Sequence, residues 1–503
     1  MLNLRGIERI CILGGGTAGW FAALHLRQIF SQNVEVMVVS SPEIPIVGVG
    51  EGGVLNFINA LNKLNIPLLD FMQQTGAVHK LGFVYEGWRE SYHNSKDYFY
   101  HMFPVERAAN EEIFWYENGY FPVFSLLANN DIPISYFVDS IALREKNISQ
   151  NELTKMFINQ QNKNFGSSFH FDTYKVGQYL RKIALQRGIV HKEGSFQDIV
   201  QDAQTGLVSA LLVDDQQISV NFVVDASGFS RQILGKKLHA KWQSFKDYLP
   251  INSAIPFHLE HKKAHPDLVT RATAMNAGWT WQIPSQERIG AGYVFDRNYI
   301  TPDKAVVELE QWLGHFIDPI RVIEFEAGFY ENVWQGNVMA VGLASGFVEP
   351  LEASSIGQML QQLDFFTKVV VECNGIISTK NIEFFNWQNM QGWHGIRDFI
   401  RMHYDTKRSD TPFWQMVQNL KFSDDYRFFK ECWQYRTPRT VDFVNYEMDN
   451  LLQFGLYSWF AIGQALRIIK PESTTVELVA LSPEKKQKLA QYLEDIKRKL
   501  LIN

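Results

Sequence analysis

Cysteine is scarce, with only Cys11, Cys373 and Cys432 in 503 residues. They lie too far apart for metal-ligand spacing, and so few thiols fit a reduced, intracellular protein better than a disulfide-stapled secreted one. Positive charge is also short: 48 Lys plus Arg stand against 54 Asp plus Glu, a net charge of −6. That balance argues against a nucleic-acid binder, which needs clustered positive charge to neutralise phosphates. No apolar run approaches the roughly 20 residues that span a bilayer. The opening MLNLRGIERICILGGG runs at once into a motif, so neither a membrane span nor a signal peptide is expected, and a cytoplasmic location is. Repeats, low-complexity tracts and Pro/Gly/Ser linkers are missing too. What is plentiful is apolar and aromatic surface: 46% hydrophobic residues, with 37 Phe, 19 Tyr and 13 Trp. A large core follows, in two or three packed modules at roughly 100–200 residues each. The aromatics suit a planar ligand, although a Phe-rich core explains them equally well.

Ile10–Leu13 is a short apolar run, followed by Gly14-Gly15-Gly16-Thr17-Ala18-Gly19, a helical pattern over Trp20–Phe30 and a second apolar run at Val34–Val39. Strand, glycine turn, helix and strand make a βαβ unit, and in that setting G-x-G-x-x-G points to a dinucleotide site. Gly14 permits the sharp turn, Gly16 lets a pyrophosphate approach the helix N-terminus, and Gly19 allows close helix–strand packing. Ser40 stands where an acid usually holds the ribose, a departure expected to weaken cofactor binding. A second match, Gly48-Val49-Gly50-Glu51-Gly52-Gly53, follows a Pro-containing stretch and lacks a βαβ setting, so it reads as a glycine-rich loop. Further α/β stretches run over Asp172–Ser230 and Trp334–Met359. Residues 250–297 alternate like antiparallel strands, and the chain is mostly helical from Asn381 to a charged terminal helix, Pro483–Leu501.

The segment Trp279-Thr280-Trp281-Gln282-Ile283-Pro284 together with the N-terminal glycines resembles the two signatures of the flavin-dependent tryptophan halogenase family. The likeness covers nearly the whole chain, through IPIVGVGE at 44–51, HKLGFVYEGW at 79–88, DASGFSR at 225–231, GFVEPLEASSI at 346–356 and HYDTKRSDTPFW at 403–414. The resemblance implies an α/β fold: a Rossmann-like FAD-binding module of the flavin monooxygenase type with a second, largely helical substrate module. The FAD module is expected over 1–100, 161–240 and 285–380, and the substrate module over 101–160, 241–284 and 381–503. It also implies reduced FAD (FADH2) from a separate flavin reductase, with O2 and chloride or bromide as co-substrates. The hypohalous acid so formed crosses an internal tunnel to a lysine beside an electron-rich arene, with tryptophan or another indole as the leading substrate.

By the same resemblance, Lys80 is the catalytic lysine and Glu352 the active-site glutamate. A lysine holds a hypohalous acid by hydrogen bond, or forms a haloamine if burial lowers its pKa. A carboxylate near the ring stabilises a cationic intermediate. Without the resemblance, Lys80 reads as a surface lysine and Glu352 as a loop salt-bridge partner. FAD contacts are expected at Gly14, Gly16, Thr17, Ala18, Gly19, Ser40, Gly48, Val49, Gly50, Glu51, Asp225, Gly342, Ser355 and Ile356, and a halide site at Ser354 and Ser355. Trp279, Trp281, Ile283 and Pro284 are expected to screen the flavin from organic substrates; as a lone motif they read as a core strand. His101 and Phe103 are expected at the substrate ring, with Phe454, Tyr457 and Trp459 closing its other side, where an aromatic stripe is more usually core. Met102 and Ala353 replace the Pro and Ser frequent in the family. No metal is expected, and the chain is expected to be a monomer or homodimer. The competing readings are a flavin-dependent aromatic hydroxylase and a non-catalytic flavin-binding protein.

Overall fold

The computed structural model describes residues 1–44, 51–89, 97–104, 119–158, 166–446 and 453–502. Gly48, Val49 and Gly50, expected at the flavin, lie outside the described residues. Two compact units form, each discontinuous in sequence: one from 1–77, 169–246 and 325–393, the other from 78–168, 247–324 and 394–503. These bounds differ from those of the modules expected from sequence, since 78–100, 161–168 and 285–324 fall in the second unit and 241–246 and 381–393 in the first.

The first unit is built on a six-stranded sheet. Its order is Trp334–Gln335, Val338–Ala340, Phe222–Asp225, Arg9–Leu13, Glu35–Ser40, Val190–Glu193. Every pairing is parallel except that of the edge strand Trp334–Gln335. Central strands of such a sheet are covered on both faces and therefore read as unbroken apolar runs, as in Ile10-Cys11-Ile12-Leu13. One face packs on Val208, Leu211 and Val213 of a small antiparallel sheet. The helices Thr17–Ile29, Thr173–Gln186 and Ser354–Glu372 also belong to this unit, the first packing against the other two. This is a Rossmann-like, dinucleotide-binding architecture in which the small antiparallel sheet covers one face of the parallel sheet.

The second unit is organised by a seven-stranded sheet. Its order is Ile323–Glu324, Ser253–Leu259, Ile289–Phe295, Gly278–Pro284, Val269–Ala274, Gly82–Glu86, Tyr98–Met102. All pairings are antiparallel except Val269–Ala274 with Gly82–Glu86. Because side chains alternate across a sheet, the register sorts them into two faces. Phe83 lies opposite His101, Ala272 opposite Tyr85 and Trp281, and Trp281 opposite Gly292, so one face is aromatic. The other carries Tyr293, Phe295 and Phe257, which form a core with Ala305 and Leu309 of the helix Pro302–Leu313. The remainder of the unit is largely helical, as expected from Asn381 onward. No described helix is long and apolar enough to cross a membrane.

Candidate active site

The turn after Arg9–Leu13 shows why three glycines are needed and what each does. Gly14 sits at φ +124, and a Cβ there would come within 2.2 Å of the Ala226 carbonyl oxygen. A Cβ on Gly19 would lie 1.9 Å from the Gly14 carbonyl oxygen. Both are obligatory for the fold itself. Gly16 differs: it is the N-cap of the helix at φ −80, and its Cβ direction meets no atom within 4 Å. Its small size is required by nothing among the described residues and suits a ligand at the helix start. Thr17 Oγ1 beside it is buried with no hydrogen-bond partner among the described residues. Gly342, at φ +61, brings a second loop close, since its Cβ would lie 2.8 Å from that of Ala18. Open backbone amides, an orphaned hydroxyl and a close second loop fit the pyrophosphate of a dinucleotide such as FAD.

Two other expected contacts are engaged within the protein. Ser40 Oγ pairs with His191 Nε2 at 2.8 Å, and burial holds that imidazole below its ordinary pKa. The buried Asp225 carboxylate accepts from Ser227 N and Oγ at 3.1 and 2.5 Å, and from Ile233 N and Leu234 N at 2.9 and 2.8 Å. Asp225 thus organises the turn that packs behind Gly14. Glu51 begins a short strand, opposite Phe171, where burial pushes its carboxyl up to about 7.

The GFVEPLEASSI loop ends in an unusual backbone. Glu352 (φ 65, ψ 9) and Ala353 (φ 53, ψ 33) are consecutive left-handed residues without glycine, directly before the helix Ser354–Glu372. Such conformations cost about 1–3 kcal/mol each and persist where structure over-determines them, often at functional sites. Glu352 is buried, and Ala353 gives the helix no side-chain cap. The buried Oγ atoms of Ser354 and Ser355 have no hydrogen-bond partner among the described residues. An uncapped helix start with two orphaned hydroxyls fits a small anion. Ile356, next along the helix, is half-buried.

In the second unit, Lys80 ends the strand Val78–Lys80 fully buried. Its Nζ lies 3.7 Å from the centroid of the Phe83 ring and 5.4 Å from that of Phe103, a cation–π setting. The turn that follows explains the K-L-G pattern: Gly82 is at φ +152, and a Cβ there would come 2.4 Å from the His101 carbonyl oxygen. From Phe83 the aromatic contacts run on. His101 stacks with Phe83 at 6.3 Å and with Tyr457 at 6.0 Å, and meets Phe399 at 5.9 Å. Phe399 stacks on Phe454 at 4.0 Å, while Phe124 meets Tyr457 edge-on at 5.7 Å. The structure therefore brings Lys80, His101, Phe103, Phe454 and Tyr457 into one cluster. It adds Phe83, Phe124 and Phe399, which sequence reasoning missed. Trp459 stands behind the cluster, its Nε1 donating to the Phe454 carbonyl at 3.0 Å while its ring packs on Phe399, Phe429 and Phe443.

Trp279, Trp281 and Ile283 share the aromatic face of the sheet. Trp281 covers Gly292, where any Cβ would strike its ring at 2.0 Å, and Trp279 packs on Trp88 at 6.3 Å. Pro284, grouped with them in sequence, falls on the opposite face by strand alternation. Met102, by the same alternation, faces away from His101. Among the described residues no group of His, Cys, Asp and Glu is arranged to hold a metal.

The family model described as Tryptophan halogenase matches residues 9–480. The chain is 35% identical to an uncharacterised protein, y4xG, of Sinorhizobium fredii, over 99% of this chain and 97% of that one. It is 29% identical to the tryptophan 7-halogenase RebH of Lentzea aerocolonigenes, covering 83% and 80% of the two chains. Among solved structures it is similar to Xcc4156, a flavin-dependent halogenase from Xanthomonas campestris, with a TM-score of 0.82, 26% identity and coverage of 99% and 95%. A glycine cradle fitted to FAD, a strained glutamate turn and a buried lysine among aromatics thus stand in a chain that belongs to the tryptophan halogenase family of flavin-dependent enzymes.

Proposed function

We propose that this enzyme halogenates an electron-rich aromatic substrate, tryptophan or another indole, with Lys80 as the residue that delivers the halogen. The single observation that carries the reading is the buried Lys80 Nζ over the Phe83 ring, in one aromatic cluster with His101 and Tyr457. Reduced FAD, held at the Gly14–Gly19 turn and supplied by a separate flavin reductase, provides hypohalous acid from O2 and chloride or bromide.

The chain's own groups do the rest. The Gly16 and Thr17 amides bind the pyrophosphate, and the Ser354 and Ser355 amides and hydroxyls hold the halide. Lys80 donates a hydrogen bond to the oxygen of the hypohalous acid, which polarises the O–X bond; alternatively its neutral amine takes the halogen as a haloamine. A ring carbon attacks the halogen, the C–X bond forms, and the oxygen leaves as hydroxide. The ring proton then neutralises that hydroxide as water. Glu352 stabilises the cationic ring and relays that proton from the ring carbon to the hydroxide. His101, Phe103, Phe454 and Tyr457 keep the arene in register by offset π contact, while Trp279 and Trp281 keep organic molecules from the flavin.

The test is incubation with FAD, a flavin reductase, NADH, O2 and bromide against a panel of indoles and phenols, with products read by mass spectrometry. A bromine-bearing product that is absent from the Lys80→Met variant supports the reading. A hydroxylated product, or bromination unchanged in that variant, overturns it.

A further inference from the structure

The second unit holds a cavity that the halogenation reading does not use. It has a volume of about 560 Å³ and lies against the seven-stranded sheet. Its wall includes Val269, Arg271, Gln282, Pro284 and Leu313. By register, Arg271 lies opposite Gln282, and alternation puts both on the face away from Trp279 and Trp281. Leu313, the last residue of the helix on that face, confirms the side. The cavity thus backs the tryptophan-bearing strand without sharing the Lys80 cluster.

Its chemistry is two-sided. Leu259, Val269, Pro284, Ile289 and Leu313 give an apolar floor. The rim is basic although the chain as a whole carries −6. Lys262 and Lys263 stand there with four histidines, and among the described residues the only acids lining the cavity are Glu260 and Asp267. Asp267 is occupied: Arg144 clasps both its oxygens at 2.8 Å, and Lys263 reaches it at only 3.6 Å. Burial alone would raise that carboxyl, but the guanidinium holds it below its ordinary range, so it stays ionised and committed to Arg144. Arg271 is similarly paired with Glu86. Lys262 makes no ion pair among the described residues, which leaves two lysines to face one exposed, unclasped acid, Glu260.

The histidines do not make this a metal site, because no group of three His, Cys, Asp or Glu is placed to hold one among the described residues. His261 gives Nε2 to the Ser285 carbonyl and His315 gives Nδ1 to the Phe316 carbonyl, both at 2.8 Å. The volume lies in the range of small-molecule sites, about 300–1,000 Å³, and is far too large for an inorganic ion.

We propose that this cavity binds a small organic anion, its apolar body on the Leu259–Pro284–Ile289 floor and its carboxylate or phosphate head at Lys262 and Lys263. The site is independent of the halogenation chemistry. Isothermal titration of the full chain with n-hexanoate and, separately, n-hexyl phosphate tests it and identifies the head. The expected result is one-to-one binding of at least one probe. The double variant Lys262→Glu/Lys263→Glu should weaken it about tenfold or more, equivalent to about 1.4 kcal/mol. Both lysines are exposed, so that variant leaves the fold intact, which its circular dichroism and melting curve check. Lys80→Met should bind as the parent does. Absence of binding by both probes, binding indifferent to the charge reversal, or binding lost in Lys80→Met would each overturn the proposal.

Discussion

In the first unit the groups proposed to meet a ligand are backbone amides and short hydroxyls: Gly16, Thr17, Ser354 and Ser355, all at helix starts. In the second they are large side chains on a sheet face and a helix: Lys80, Phe83, His101 and Tyr457. The difference follows from the tasks assigned to them. Phosphate and halide are read by donors that point outward at helix ends whatever the side chain. An uncharged arene is read by shape and π contact, which only side chains supply. Substitutions in the first unit should therefore act through the size of an added Cβ. Those in the second should act through chemistry.

The largest effect is expected from Gly14→Ala or Gly19→Ala. Each places a Cβ within 2.2 Å or 1.9 Å of a backbone oxygen that cannot move aside. Overpacking of this kind costs about 1–3 kcal/mol or more, and thermal melting with soluble yield should show it without any flavin present. Gly16→Val has free space and an extended backbone, so its melting temperature should match the parent while FAD affinity, by fluorescence titration, is lost. A parental FAD affinity would dismiss the cradle. Glu352→Gln should lower halogenation about 10²–10³-fold while leaving FADH2 oxidation near parental, because one electrostatic contact is removed and the amide keeps its bulk. Glu51→Gln tests the partly buried acid that opens the short strand of the first unit. Its carboxyl titrates at about 7 in the fold against an ordinary 4.5, so the native state keeps its proton longer than the unfolded chain. Its contribution to stability therefore falls as pH rises from about 4.5 through about 7. The Gln variant should melt higher than the parent near pH 8 and alike near pH 5.

What was legible in the sequence divides along the same line. Glycine announces itself, since no other residue tolerates the Gly14 and Gly19 contacts, and the turn is readable in the sequence. The strain at Glu352 and Ala353 was not, because neither residue type signals a left-handed backbone. Asp225 sits in the expected turn, yet all its acceptor capacity goes to that turn's own donors, which only coordinates reveal. Phe83 and Phe399 were missed because a chain with 37 Phe gives no means of telling pocket from core. Only the alternation of Phe83 with Tyr85, once the register is known, hints at a shared face. The grouping of Pro284 with Trp279 and Trp281 came from adjacency in sequence, which a strand's two-residue period divides between faces.

The comparison rests most heavily on Lys80. The measurement is stopped-flow absorbance of FADH2 oxidation in parent and Lys80→Ala, paired with product analysis on the same samples. The account predicts flavin oxidation within about twofold of the parent and no halogenated arene, with Lys80→Arg failing likewise because guanidinium is a poor nucleophile of different shape. Halogenation by Lys80→Ala at the parental rate would contradict it.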